Sequence, residues 1–194
     1  FEDQLKMRRV IIVHRWDATP QSDWYPWLKK ELERKGYKVL VPRMPRTDVP
    51  KIKLWVSHLR NVVETLDTNT YFVGHSIGCQ TIMRYLQAIK NPKIGGAVFV
   101  AGWFVLKNLE DKEAETIAEP WMRRNLKFSK LKKLFRGKLK VFLSSNDPYN
   151  CAKENKAAFT KKLGARVIVK KNKGHFTADT GITKLPETLR VFRT

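Results

Sequence analysis

Short β-branched runs alternate with longer amphipathic stretches along most of the chain. Residues 9–13 (RVIIV) form a compact apolar run, which predicts a buried strand. Polar and turn-forming residues follow. Trp24, Trp27, Leu28 and Leu32 then recur at helical spacing and predict a helix over 23–35, ended by Gly36. Residues 38–41 read as a second strand, closed by Pro42 and Pro45. Residues 51–66 read as a helix with Leu54, Trp55, Leu59, Val62 and Val63 on one face. A third strand over 70–73 leads through a tight turn into a helix over 79–89. Residues 95–101, 138–144 and 166–169 supply three more strands, and helices over 151–163 and 182–192 complete the pattern. This alternation predicts a three-layer α/β architecture, a mainly parallel sheet of about six strands flanked by helices. Ligands of such sheets bind beyond the carboxyl ends of the strands.

One stretch breaks the rhythm. Residues 102–137 are a helix pair too long for a simple connection. They predict a small, cap-like helical insertion over about 103–137. Within it, 123–136 reads as one basic amphipathic helix with Leu126, Leu131, Leu134 and Phe135 turned inward. The remainder of 8–194 is expected to be a single domain. Residues 1–7 read as a leader or tag-like segment, with Met7 a candidate native start. No apolar run reaches the length of a membrane span. The polar residues 1–9 do not resemble a secretory signal.

Composition adds two constraints. Thirty-nine Lys and Arg against 18 Asp and Glu give a formal charge of +21 and a basic chain. Such a field suits polyanions: RNA, an anionic membrane or an acidic partner. The simpler reading is a lysine-enriched surface arising from lineage or from engineering for solubility. Cys79 and Cys151 make no disulfide framework, which favours a cytoplasmic location.

The densest chemistry lies at Gly74-His75-Ser76-Ile77-Gly78, between a predicted strand and a predicted helix. G-x-S-x-G in that setting is the signature of a nucleophile elbow. A serine hydroxyl needs a base, and the base needs an orienting carboxylate. Of four histidines, His58 lies mid-helix, His75 lies inside the elbow pointing away from the serine, and His14 ends the first strand. His175, in a loop just past the sixth strand, is the best base. Asp147, just past the fifth strand in Asn146-Asp147-Pro148, is the best acid, with Asp179 as competitor. The order Ser76, Asp147, His175 is the Ser…Asp…His order of α/β hydrolases. All three fall on one edge of the sheet.

These motifs resemble a known group. Asp23-Trp24-Tyr25-Pro26-Trp27-Leu28 after the first strand, Met44-Pro45 after the second, Trp55, the elbow, Asn146-Asp147-Pro148 and Gly174-His175-Phe176 are similar to the small serine hydrolases that include retinoblastoma-binding protein 9 and the YdeN-like proteins. The resemblance implies a compact α/β-hydrolase fold and a triad of Ser76, Asp147 and His175. It also implies hydrolysis of a small ester or amide, with no cofactor and no metal. The oxyanion hole would take the backbone N–H of Ile77 and one from Arg15 or Trp16. Here the chain departs from the group, which often has His-Gly or Pro-Gly where His14-Arg15-Trp16 stands. Arg15 would narrow the pocket or favour an acidic substrate; Trp16 would stack on the acyl group or pack as wall. His14, Trp16 and Trp103 are the pocket candidates.

Overall fold

The architecture follows from where the apolar runs fall. A computed structural model describes residues 7–149 and 151–192. The expected leader lies outside them except for Met7, which is exposed. Six strands form one sheet: β1 (Arg9–Val13), β2 (Lys38–Leu40), β3 (Thr70–His75), β4 (Gly96–Val100), β5 (Leu139–Ser144) and β6 (Arg166–Lys170). Their order is β2-β1-β3-β4-β5-β6, and every pair is parallel. From β1 the chain steps outward to β2, then returns past β1 to β3 and runs the other way. The direction therefore reverses between β1 and β3, which creates a crevice beyond their carboxyl ends.

Alternate residues of each strand serve opposite faces. Ile11, Val13 and Phe72 join a core beneath α2 (Ile52–Val63), α3 (Ile77–Ala88), α5 (Phe128–Phe135) and α6 (Ala152–Leu163). Val10, Ile12 and Val73 join a second core beneath α1 (Tyr25–Arg34) and the C-terminal segment, which contributes Leu185 and Phe192. The expected three layers are present. No helix among the described residues is long and apolar enough to cross a membrane.

Several boundaries moved for identifiable reasons. Asp23 has φ 53°, so α1 begins only at Tyr25, with Pro26 in its first turn. Glu64 has φ 55°, which stops α2 at Val63. The expected helix over 182–192 shrinks to α7 (Pro186–Leu189). Pro186 has no N–H to continue a helix through that point and starts a short one instead. The basic stretch 123–136 is not one helix. It is the end of α4 (Lys112–Arg123), an extended link, and α5. The buried Arg84 explains the break. Its Nη2 donates to the carbonyls of Trp121 (2.7 Å) and Arg124 (3.0 Å), closing the end of α4. Burial, and the nearby Arg124, pull the Arg84 guanidinium down to about 10.

Helices α4 and α5 play different parts. Leu131 and Phe135 of α5 are fully buried in the main core. Lys130 Nζ donates to the carbonyls of Gln87 and Ile89 at the end of α3, and Lys132 Nζ to that of Lys161 near the end of α6 (3.2 Å). Cations at helix C-termini are favourably placed against the helix dipole. Helix α4 instead flanks the crevice.

Candidate active site

β3 ends at His75 and α3 begins at Ile77, so Ser76 alone makes the turn. Its φ of 53° and ψ of −118° are strained for a residue with a Cβ. The turn is possible because the residues two before and two after Ser76 are glycines. A Cβ on Gly78 would lie 2.1 Å from the Val13 carbonyl oxygen, and one on Gly74 2.9 Å from the Cys79 nitrogen. The Ser76 N–H donates to Val100 O (2.9 Å), anchoring the turn to β4. Ser76 retains 7% exposure, and its hydroxyl accepts a hydrogen bond from Trp103 Nε1 (3.1 Å). Gln80 Nε2 in turn holds the Trp103 carbonyl (2.7 Å).

His175 Nδ1 lies 2.7 Å from Asp147 Oδ2, and the Asp147 side chain is fully buried. That bond fixes the tautomer: Nδ1 carries the proton and Nε2 is left as acceptor. The loops bearing the two residues are tied together by side chains just before the acid. Ser144 Oγ accepts from Lys173 N (2.9 Å) and donates to Asn146 Oδ1 (2.9 Å). Asn146 Oδ1 also accepts from Gly174 N (2.9 Å), which has φ +52°. Asp179 lies exposed in a 3-10 turn at Ala178–Thr180, so Asp147 is the carboxylate that meets His175. Ser76 and His175 line one cavity of about 400 Å³, with Arg15, Trp16, Trp103 and Tyr149. Among the described residues they share no hydrogen bond; the Ser76 contact is with Trp103.

His75 packs as expected and also does more. It is fully buried beneath the site. Its Nε2 donates to the His175 carbonyl (2.8 Å), so Nδ1 accepts from the Tyr25 hydroxyl (2.7 Å). Burial, with His175 adding to it, holds the His75 imidazole well below its ordinary range and therefore neutral. Tyr25 Oη also accepts the Arg15 N–H (3.1 Å). Asp23 accepts from Arg15 Nε (2.7 Å) and from the Ala178 N–H (2.8 Å). The start of α1 thus holds both the loop after β1 and the loop bearing His175. Sequence reasoning read residues 23–28 as a helix entry and as part of a resemblance, and gave Asp23 and Tyr25 no role of their own. The usable signal was an ionisable pair, Asp23 and Tyr25, among aromatics at a helix entry.

The expectations for the loop after β1 divide. The Arg15 N–H is already given to Tyr25, whereas the Trp16 N–H has no partner among the described residues. The Arg15 guanidinium is turned onto Asp23 and is not offered as a free cation. His14 does not line the cavity. Its Nδ1 donates to Arg15 O (2.8 Å) and its Nε2 accepts from Met44 N (3.1 Å), so both nitrogens pin backbone. Trp16 and Trp103 do line it. His58 is half-buried on α2, away from this cavity. Cys79 is buried, which pushes its thiol up, and both cysteines are free. Among the described residues no group of His, Cys, Asp or Glu is arranged to hold a metal ion.

A family model for serine hydrolases matches residues 10–194. The chain belongs to the serine hydrolase family. It is similar to YdeN of Bacillus subtilis, with 29% identity over 184 residues, covering 92% of this chain and 91% of YdeN. The crystal structure of YdeN superposes with a TM-score of 0.85 over 95% of this chain and 96% of that one. It is also similar to the serine hydrolase RBBP9 of Rattus norvegicus, at 23% identity over 172 residues, covering 88% of this chain and 84% of RBBP9. Est1E of Butyrivibrio proteoclasticus, at 14% identity, shares the fold with a TM-score of 0.69 over 96% of this chain and 88% of that one. This serine hydrolase therefore has the α/β-hydrolase fold.

Proposed function

We propose that this serine hydrolase cleaves a small carboxylic ester or amide through an acyl-enzyme on Ser76. The observation that carries the reading is the buried Asp147–His175 pair, at 2.7 Å, opening into the same cavity as the strained Ser76. A volume of about 400 Å³ suits a small substrate. The reaction requires Ser76 Oγ within about 3 Å of His175 Nε2, a contact that apo sites often complete only on binding. Oγ attacks the carbonyl carbon while Nε2 takes its proton. The imidazolium is stabilised by Asp147, and the carbonyl oxygen becomes an oxyanion.

We assign two N–H groups to receive that oxyanion. Ile77 heads α3, where N–H groups have no intrahelical acceptor, and Trp16 supplies the second. Collapse breaks the bond to the leaving group, which departs with the proton from Nε2. Water then attacks the acyl carbon, His175 takes its proton, and the acid product leaves as Ser76 regains its hydrogen. The scheme uses no cofactor. The two free cysteines fit a reducing cytoplasm. Binding of polyanions through the basic surface is a second reading. It is supported by net charge, but Lys130 and Lys132 are already engaged with helix ends.

The test is turnover of short- to medium-chain p-nitrophenyl esters. The wild type is expected to release p-nitrophenol with a preference for short acyl chains, and Ser76→Ala to lose about a thousandfold or more in kcat/KM. Undiminished turnover in Ser76→Ala contradicts the reading.

A further inference from the structure

The cavity reverses the polarity of the chain around it. The protein carries 39 Lys and Arg against 18 Asp and Glu. Yet the cavity wall holds five carboxylates, Asp17, Asp48, Glu110, Asp111 and Glu113, and one cation, Arg15. That cation is neutralised. Arg15 Nε is 2.7 Å from Asp23 Oδ2, and the Asp23 side chain is 1% exposed. Two of the carboxylates are partly engaged: Asp48 meets Arg46 at 3.4 Å, and Asp111 Oδ1 caps α4 by accepting from Ala114 N (2.8 Å). Glu110 accepts from the Tyr149 hydroxyl (3.2 Å), a neutral partner that leaves its charge in place. Asp17 and Glu113 have no ion-pair partner among the described residues.

The wall is also aromatic, with Trp16, Trp103 and Tyr149. Aromatic faces attract cations, most strongly quaternary ammonium and guanidinium groups. The cavity is a substrate site on the strength of Ser76 and His175. The carboxylates decide its sign. Distance decides between them and the lysine-rich surface: charge farther off than about 8 Å is largely screened at physiological salt, while the wall lies within that range of any occupant.

Resting on the hydrolase reading above, we infer that the preferred substrate is cationic: an ester or amide bearing an ammonium or guanidinium group, held by Asp17, Glu110 and Glu113 against Trp16, Trp103 and Tyr149. This reverses the acidic-substrate role that the sequence left open for Arg15. The carboxylates are exposed, so each contributes modestly, and together they correspond to a preference of about tenfold.

Two pairs of shape-matched esters test it. Choline acetate against 3,3-dimethylbutyl acetate places the charge in the alcohol. The p-nitrophenyl esters of 4-(trimethylammonio)butyrate and 5,5-dimethylhexanoate place it in the acyl group. In at least one pair the cationic ester is expected to show about tenfold higher kcat/KM at low salt, falling as salt rises. Asp17→Asn combined with Glu113→Gln is expected to lower that ratio about threefold. Asp17 has φ 56°, a conformation asparagine tolerates. Equal or better turnover of the neutral ester in both pairs overturns the inference, as does a ratio unmoved by the double variant. Should neither member of any pair be cleaved, the hydrolase reading fails on its own. Calorimetry of benzyltrimethylammonium with Ser76→Ala then decides the charge inference: salt-sensitive binding weakened by the double variant supports it, and no binding overturns it.

Discussion

The two walls of the cavity are built from different material. One wall is the carboxyl edge of the sheet. Ser76, Asp147 and His175 each stand just past a strand, and side chains bonded to backbone hold their loops together. The other wall is the stretch from Trp103 through the first turns of α4, where Glu110, Asp111 and Glu113 are exposed. Bond-making needs groups fixed to fractions of an ångström, which buried hydrogen bonds provide. Selection by charge acts over several ångströms and tolerates exposed, mobile carboxylates. Substitutions in the first wall are expected to remove activity, and those in the second to redirect it.

The largest expected effect lies in the first wall. His175→Ala should lower kcat/KM by about a thousandfold or more, measured with a neutral p-nitrophenyl ester. A loss comparable to that of Glu113→Gln would erase the distinction between the walls. Next is the turn beneath Ser76. Gly78→Ala places a Cβ against the Val13 backbone and should cost about 3 kcal/mol or more in urea unfolding. Gly137, between α5 and β5, has φ +69° and open space around it. Gly137→Ala should cost only about 1 kcal/mol, from backbone strain.

A smaller effect is expected one layer behind the proposed catalytic groups. Tyr25→Phe removes the hydroxyl that joins Arg15 N–H to His75. We expect kcat to fall about 10- to 100-fold with KM changed less, because the loops on both sides of Ser76 lose a shared anchor. An unchanged kcat would confine His75 to a packing role. The smallest effect concerns pH. Burial lowers the folded-state value of both His75 and His14 from the ordinary 6.5. Between those lowered values and 6.5 the unfolded chain binds more protons, so stability falls as pH drops through that window. The urea midpoint should decline from pH 7.5 to pH 5.5, and a flat profile would contradict the neutral, buried state of His75.

The contrast also marks what was legible in the sequence. Strand positions were readable because β-branched runs such as 9–13 have one use in a sheet covered on both faces. The positions of Ser76, Asp147 and His175 past the strand ends were readable because glycine pairs, an Asp-Pro turn and a Gly-His loop fall there. The 123–136 segment misled because its apolar spacing continues across a break. That break depends on Arg84, forty residues upstream, reaching the end of α4. His14 misled because its position after β1 faces the crevice, while its nitrogens are taken by Arg15 and Met44. The charge of the cavity was invisible, since Asp17, Asp48 and Glu113 are distant in sequence and meet only through the fold.

The most direct test of the central claim is intact-mass spectrometry after treatment with a fluorophosphonate. The wild type is expected to gain one phosphonyl group, mapped to the peptide containing Ser76, and Ser76→Ala to gain none. Labelling retained in Ser76→Ala, or mapped to another residue in the wild type, would contradict a nucleophile at the β3–α3 turn.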